Sequence, residues 1–575
     1  MKFINKLLIV AVVFMIASCD MTDLDLLDNP NEVAPENANV DDLFNRIQLD
    51  FGDHIVSMWD LTAGMSRMVS TGGAFDYTSA TNPNFFNFLW TNAYADIFPD
   101  IAALEAIASE RGLDFHSGAS KIMKAYVLTS MVDLFGDIPN SQAGDGTNTI
   151  APMRDSGADV YAAADALLVQ AIAQLTGTTA TAPINDLAYG GDAAKWVTLA
   201  KSMQLRNAVT TRLANPSANA TVAALIAEGD LISDSGNDFQ VQYGNTRLNP
   251  QSRHPNYYNM YEANDGDYMS NYYMWLLRAD KTDADEEPVV DPRIRYYFYR
   301  KTGDAVGLDP NVYSCHFSNL PDQSAQPAHY ADIDPRLPYC VAWEDGYFGR
   351  DHLNAEGIPP DGPFRTAYGI YPAGGQFDDN SFSETQEQGT TGGLGQGIEP
   401  ILLASFVDFL RAEAALTMGT GEDAKALLES GMRKSIEKVQ SFSSLSPADF
   451  ARGIEDAVTG ETNTVEDLFV PTAEDVDAYI AFVLAAYDAA DADGKLDIVM
   501  KEYYIALWGN GLEAYNMYRR TGKPNNMAPA LEPGPGAFIR SFFLPGDHVN
   551  FNANADQKTL TMPVFWDTNP DGFVY

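Results

Sequence analysis

The sequence predicts a mostly α-helical protein in which paired helices are interrupted by one long, loop-rich insertion. Apolar residues recur at intervals of three and four within residues 41–235 and 400–524, which is the spacing of one helix face. Between residues 236 and 399 this periodicity is lost, and Gly, Pro, Asn, Asp and Tyr dominate. With 46% hydrophobic residues, the chain of 575 residues is able to bury a large core. We therefore expect a single discontinuous domain.

The N-terminus predicts export. Two lysines precede an apolar run at residues 7–16, which is shorter than the roughly 20 residues of a transmembrane helix and is typical of a secretory signal. The run ends in Ile-Ala-Ser-Cys19, which resembles a bacterial lipobox, where the cysteine becomes the acylated first residue. A plain signal peptide with a chance cysteine, or an inner-membrane anchor, would look similar. We predict a signal peptide at 1–18 and a lipidated leader at 19–40.

The residues after Cys19 are acidic, with Asp20, Asp23 and Asp25 close together. This resembles the export signal of Bacteroidetes surface lipoproteins, and it also suits a simple solvated leader. We expect a cell outer-membrane protein that is lipid-anchored and faces outward.

The net charge is strongly negative, since 79 acidic residues face 36 basic ones, giving −43. Nucleic-acid binding depends on clustered lysine and arginine contacts to phosphates, so a nucleic-acid partner is excluded. The same charge argues against the protein body lying on an anionic membrane surface.

The first helical part, residues 41–235, carries helix signals in order. Ser156-Gly-Ala-Asp159 is a plausible capping box. An apolar stripe at helical spacing follows it: Val160, Ala164, Leu167, Ala171 and Leu175. Residues 193–213 predict another helix with Trp196 on its apolar side.

The second helical part, residues 400–524, is clearer. Pro400 suits the first turn of a helix that reaches about residue 418. Residues 424–439 return as its partner, and the pair has the size of a tetratricopeptide-like unit. A final long helix is predicted at 496–519. The remaining residues, 525–575, predict an irregular C-terminal tail rich in Pro, Asn and Phe.

Two cysteines follow Cys19 in the sequence, Cys315 and Cys340. Export makes a disulfide between them possible, and two separate buried thiols fit the sequence equally well.

Six ordered segments resemble the SusD/RagB family. Residues 133–143 (DLFGDIPNSQA) are similar to its turn motif D-x-Y/F-G-D-I-P-Y-S-E-A. The other segments follow in family order: 196–208 (WVTLAKSMQLRNA), 409–415 (FLRAEAA), 424–435 (AKALLESGMRKS), 501–507 (KEYYIAL) with 518–522 (YRRTG), and the closing Pro545, Asn550 and Asn554. Asn140, Gln142 and Lys201 depart from the usual family residues.

The resemblance implies a superhelix of four tetratricopeptide-like pairs with long loops on one face. It also implies a partner, a TonB-dependent outer-membrane transporter of SusC type, whose mouth such proteins cover like a lid. Such proteins bind oligosaccharides, less often peptides, and perform no chemistry.

Motifs for catalysis are missing from the sequence. No histidine pair has the H-E-x-x-H spacing, and there is no G-x-S-x-G elbow. Asp491 to Gly494 hints at a calcium loop, but its first and twelfth ligands would be Ala489 and Met500, which cannot serve. We expect no enzyme activity, no cofactor and no metal site.

Candidate sugar-binding residues come from the insertion, because flat rings cover the apolar faces of sugars while amides and carboxylates bind their hydroxyls. Residues 257–275 hold seven aromatics with interleaved Asn and Asp. The candidates are Tyr268, Tyr272, Trp275, Asp267 and Asn271, then Trp343 and Tyr371, then Asp76 and Tyr77 in an earlier loop. The competing interpretation is that most of these rings pack the insertion onto the helices.

Together these observations predict a surface lipoprotein that captures oligosaccharides or polysaccharides for a transporter. The alternative is a peptide-capture or adhesion lipoprotein on the same scaffold.

Overall fold

The computed structural model describes most of the chain from residue 39 to the C-terminus. The described residues are 39–71, 74–144, 149–177, 185–263, 265–303, 326–340, 343, 345–354, 365–382 and 389–575. The predicted signal peptide, nearly all of the leader and Cys315 lie outside them. Within these ranges the protein is mostly helical, and its strands form three sheets of two strands each. The predicted fold class is confirmed.

The first helical part consists of consecutive helices that pack as neighbours. They are α1 (Val40–Met65), α2 (Asn87–Thr91), α3 (Phe98–Arg111), α4 (Asp114–Phe135), α5 (Gly157–Leu175), α6 (Ala193–Thr211) and α7 (Ala218–Glu228). Helix α4 packs on α3 and α5, and α6 packs on α5 and α7. This pairing of sequence neighbours is the arrangement of tetratricopeptide-like arrays.

Helix α5 begins at the predicted cap. The Ser156 hydroxyl accepts from the Asp159 backbone N–H and donates to the Asp159 carboxylate at 2.6 Å. By length and composition α5 could cross a membrane, with a mean hydropathy of 1.2. Its buried stripe instead packs between α4 and α6, so it is a core helix of this body.

The insertion contains short elements joined by loops. They are β1 (Phe239–Gln242), α8 (Pro255–Tyr258), α9 (Asn271–Arg278), α10 (Ile294–Tyr297), β2 (Phe298–Tyr299), α11 (Ala328–Ala331), β3 (Ala367–Tyr368) and β4 (Ile398–Leu402). Strand β1 pairs antiparallel with β4, and β2 pairs antiparallel with β3. Because β1 and β4 lie at the two ends of the insertion, their pairing brings those ends together.

The second helical part and the tail complete the chain. Their elements are α12 (Ala404–Thr417), α13 (Ala424–Gln440), α14 (Pro447–Phe450), β5 (Gly453–Glu455), β6 (Thr462–Thr464), α15 (Val465–Phe469), α16 (Ala473–Ala489), α17 (Ala492–Ala506), α18 (Gly511–Thr521) and α19 (Gly546–Phe551). Helices α12 and α13 pack closely as the predicted hairpin. Strands β5 and β6 form a small antiparallel pair.

Two predicted helix limits in this part are wrong. Pro400 lies inside strand β4, and α12 begins only at Ala404, whose backbone N–H donates to the Asp238 carboxylate at 2.8 Å. The predicted long final helix is broken into α17 and α18. Gly509 lies in the break with φ +101°, and a Cβ there would lie 2.8 Å from Pro400. The strand therefore approaches too closely for a continuous helix.

An aromatic cluster joins the insertion to the helical body. Trp508, in the break between α17 and α18, is fully buried. Five rings surround it, with centroid distances between 5.1 and 5.9 Å: Trp59, Tyr273, Tyr297, Phe298 and Tyr368. Four of these rings belong to the insertion, so its aromatic residues largely serve to dock it.

Asp133, the first residue of the turn motif, joins several helices and the tail. Its buried carboxylate accepts from the Tyr161 hydroxyl at 2.6 Å, the Asn516 amide at 2.7 Å and the Trp566 indole at 2.9 Å. It also pairs with the Arg206 guanidinium at 3.0 Å. The turn motif is therefore structural, because four separate segments meet on one carboxylate.

Candidate ligand-binding cleft

A cleft opens between α1, β1 and the segment that leads into α8. Its volume is 770 Å³, within the range of about 300–1,000 Å³ that is usual for small-molecule sites. Its position follows from the β1–β4 pairing, which holds one wall of the insertion against the helical body.

The floor of the cleft is aromatic. Phe51 of α1, Trp196 of α6 and Phe239 of β1 line it, and all three are buried. Phe239 lies 5.9 Å from both other rings, centroid to centroid. The Trp196 indole N–H donates to the Asp186 carboxylate at 2.9 Å, which fixes this ring. The floor is therefore rigid and apolar.

Two tyrosines stand above this floor. Tyr258, at the end of α8, is 36% exposed, and the Arg253 guanidinium lies 5.8 Å from its ring centroid. Tyr243 is half-buried and packs on the His254 ring with centroids 4.8 Å apart. Both tyrosines line the cleft, so they present accessible ring surface beside the guanidinium of Arg253.

Amide side chains supply the polar part of the lining. Gln242 and Gln251 are exposed and Asn259 is half-buried. An amide offers both donors and acceptors, as neighbouring hydroxyl groups require. Gln48 has a different role, because its amide donates to the Asn185 carbonyl at 2.9 Å and accepts from the Leu187 N–H at 2.8 Å. It holds the wall that carries exposed Leu187.

A smaller recess of 160 Å³ adjoins the cleft, and Asn259 lines both cavities. Its other polar lining residues are Asp60, Asp265, Asp267 and Asn256. Asp60 is reachable by solvent. The surrounding protein nevertheless removes part of the hydration of its carboxyl group. This desolvation, and then repulsion from Asp267 and Glu399, raise the pKa of Asp60 to about 7. Burial also raises the pKa of Asp267, although the Tyr368 hydroxyl donates to it at 2.7 Å.

Of the residues predicted from the sequence to contact ligand, only Asp267 lines one of these two cavities. Five others are buried in the core, each at most 4% exposed: Tyr77, Asn271, Tyr272, Trp275 and Tyr371. The rings pack against other aromatics, and the Asn271 amide donates to the Asp351 carboxylate at 3.0 Å. Burying the apolar surface of these rings stabilises the folded protein relative to leaving it exposed to water.

The remaining three candidates are half-buried and lie outside both cavities. Tyr268 lies beneath the Arg350 guanidinium at 3.9 Å from its ring centroid, and Trp343 beneath Arg278 at 5.5 Å. The Asp76 carboxylate accepts from the Ser79 backbone N–H at 2.8 Å within its own turn. Their contact with ligand stays a prediction.

Cys340 is buried and disulfide-bonded. Since Cys315 lies outside the described residues, its pairing with Cys340 also stays a prediction.

The sequence did not single out Tyr243, Gln242 or Gln251. Tyr258 stands in the aromatic segment, next to Tyr257, which is fully buried. The alternation of these two rings was the available signal, and composition alone could not say which of them faces the solvent.

One pair of residues resembles a nucleophile beside a base. The Lys558 ammonium donates to the Ser541 hydroxyl, and burial, with the charges of Arg519 and Arg154, lowers the pKa of Lys558 to about 7. Ser541 is fully buried and its hydroxyl donates to the Met562 carbonyl. Substrate cannot reach this oxygen, so the pair is structural. No three His, Cys, Asp or Glu side chains of the described ranges are grouped to hold a metal ion.

Lys558→Met is expected to stabilise the protein most at neutral pH and less at alkaline pH. An unfolded lysine titrates near 10.4, whereas folded Lys558 loses its proton at about 7. Between these values the unfolded state binds more protons than the folded state, so wild-type stability rises with pH by an amount on the order of a few kcal/mol. Methionine does not titrate, so the variant lacks this rise. Urea unfolding of both proteins at pH 6.5 and pH 9.5 measures this, and a stability difference independent of pH would contradict it.

Comparison with known families gave two matches. A family model described as "Starch-binding associating with outer membrane" (SusD-like) matches residues 31–324, and one described as "SusD and RagB outer membrane lipoprotein" matches residues 395–543. The first spans about half of the chain by itself. A search of curated proteins gave no match.

Several solved structures share the fold. A chitin-binding SusD homologue from Flavobacterium johnsoniae has a TM-score of 0.59 at 18% identity, covering 92% of this chain and 99% of its own. A SusD-like protein from Bacteroidetes AC2a has a TM-score of 0.64 at 18% identity, covering 92% and 100%. A SusD/RagB protein from Bacteroides thetaiotaomicron has a TM-score of 0.63 at 17% identity, covering 93% and 100%. At these identities the likeness establishes the fold.

Proposed function

Because the chain belongs to the SusD/RagB family of outer-membrane lipoproteins, we propose that it captures glycans in the cleft between α1, β1 and α8. It does so at the outer surface of the outer membrane, anchored through acylated Cys19, and passes its cargo to a TonB-dependent transporter of SusC type. The starch-binding description of the family and the chitin-binding relative support a glycan as cargo.

The observation that carries this proposal is the chemistry of the cleft lining. Tyr258 exposes ring surface above a fixed aromatic floor, and Gln242, Gln251 and Asn259 add amides at the same cavity. A pyranose presents apolar C–H faces edged by hydroxyls, so rings with neighbouring amides match it in both respects. The volume of 770 Å³ leaves room for more than one sugar ring.

The charged groups that line the cleft are consistent with binding of a glycan without its cleavage. Asp53 and Arg253 line it, and Arg253 is committed to Glu262 at 2.6 Å. Glycoside hydrolysis by the usual route needs two carboxyl groups on either side of the scissile bond, and the lining of the cleft contributes Asp53 alone. We therefore assign binding to the cleft.

Replacing Tyr258 with alanine is expected to weaken glycan binding about tenfold, because the exposed stacking surface is lost while the buried floor stays intact. Tyr258→Phe keeps the ring and should retain most of the affinity. Affinity electrophoresis against a polysaccharide panel identifies the ligand, and calorimetry then compares the variants.

Phe88 provides the matched control, since it is also an exposed ring, 59% accessible, but lies outside the cleft lining. Phe88→Ala should leave the affinity unchanged. Binding of a polysaccharide that is recovered at its original length supports capture, whereas release of shortened products would overturn it. Retardation by peptides and by no glycan would favour the peptide-capture alternative.

A further inference from the structure

We propose that the recess beside the cleft binds a protonated primary amine carried by a sugar unit of the captured glycan, so that the protein prefers glycans with free amino groups. This inference rests on the proposed glycan capture and names the class of cargo. The recess is the cavity of 160 Å³ lined by Asp60, Asp265, Asp267, Asn256 and Asn259.

The recess adjoins the cleft. Asn259, the first residue of a short π-helix that follows α8 (Asn259–Ala263), lines both cavities. A volume of 160 Å³ equals roughly five water molecules at about 30 Å³ each, which suits one small ring or its substituent. A glycan lying in the cleft could therefore place a single unit in the recess.

Three carboxyl groups line the recess. Asp60 and Asp265 have no hydrogen-bond or ion-pair partner among the described residues, and both are exposed to solvent. Asp267 has only the Tyr368 hydroxyl at 2.7 Å, with the more distant charge of Arg365 acting on it. Repulsion between Asp60 and Asp267 is one reason that a bound cation would be favoured there.

A second observation concerns Asn256. Asn256 is only 6% exposed and lines the recess, yet its side-chain amide makes no hydrogen bond within the described part of the chain. The amide is open to the recess, so it is available to a ligand bound there. An ammonium group supplies the donor that the amide oxygen lacks.

An organic amine fits this recess better than a metal ion. Within the described ranges no three acidic, histidine or cysteine side chains are grouped closely enough to coordinate a metal. Two aromatic side chains also line the recess, Trp59 and Tyr368, which are 3% and 1% exposed. Aromatic rings favour both an adjacent cation and the apolar face of a sugar. Carboxylates, amides and rings together match an amino sugar.

The test compares two oligosaccharides of equal length, a tetramer of glucosamine and its fully N-acetylated form. The pKa of Asp60 is about 7, so the measurement is made at pH 7.5, where this carboxyl is largely ionised. Calorimetry should then show at least tenfold tighter binding of the glucosamine tetramer by the wild-type protein. Asp60→Asn with Asp265→Asn should remove most of this preference by weakening the binding of the glucosamine tetramer. Both positions are exposed, so folding is expected to persist, as circular dichroism checks.

Glu110→Gln is the matched control, because Glu110 is an exposed carboxylate that lines neither cavity. An equal loss of preference in this variant would attribute the effect to overall charge and overturn the inference. Equal binding of both tetramers would also overturn it, while leaving glycan capture standing. Binding of neither tetramer nor any polysaccharide would overturn glycan capture itself. Saturable binding of calcium alone, lost in the double variant, would reassign the recess to a metal.

Discussion

Replacing Asp133 with alanine should lower the free energy of unfolding by about 3–5 kcal/mol, the usual cost of breaking a buried ion pair from one side. The reason lies in what remains. Arg206 keeps Glu513 at 3.0 Å but loses Asp133, and the Tyr161, Asn516 and Trp566 donors lose their acceptor. Each buried donor without a partner adds its own cost. Urea unfolding followed by circular dichroism measures the change.

Asp137 gives a control from the same turn motif. Its exposed carboxylate accepts one bond, from the Gly157 backbone N–H at 2.8 Å. Asp137→Ala should therefore cost about 1 kcal/mol, as loss of a single helix-terminal acceptor does. If Asp133→Ala lowered the free energy of unfolding no more than Asp137→Ala, the contacts that converge on Asp133 would not stabilise the fold as we expect.

The second large effect is expected at Trp508. Trp508→Ala should cost about 3–5 kcal/mol, because it leaves a cavity among five packed rings. The cavity separates the insertion from the helical body, so amide hydrogen exchange should accelerate first in the insertion, around β2 and β3. Glycan binding should weaken as well, since β1 and α8 of the insertion form part of the cleft.

Trp508→Phe separates ring packing from hydrogen bonding. The Trp508 indole N–H has no hydrogen-bond partner within the described chain, so phenylalanine loses only volume and should cost about 1–2 kcal/mol. An alanine variant as stable as the phenylalanine variant would show that the cluster does not dock the insertion.

The contrast between Tyr257 and Tyr258 shows where sequence reasoning stopped. The aromatic segment 257–275 supplies both the exposed Tyr258 and the buried Tyr257, Tyr272 and Trp275. Ring type and spacing are the same for a docking surface and a sugar platform. Only the position of the helical body decides which rings meet Trp508 and which meet solvent.

The helix limits follow the same logic. Periodicity predicted the limits of α5, α6 and α13 to within a few residues, because a single buried apolar stripe defines each of these helices. It missed the break before α18, which is imposed by Pro400 of β4 approaching Gly509 from a segment about 110 residues earlier in the chain. Local preference cannot report a contact of that kind.

By itself the sequence determined the helical class, the family resemblance, the acidic character and the segment that carries the aromatic residues, because these depend on periodicity and composition. The tertiary structure decided that the cleft lies beside β1, that Asn256 and three aspartates meet in one recess, and that most candidate rings are core. These outcomes depend on which distant segments pack together, and that is set by the free energy of burying the whole chain.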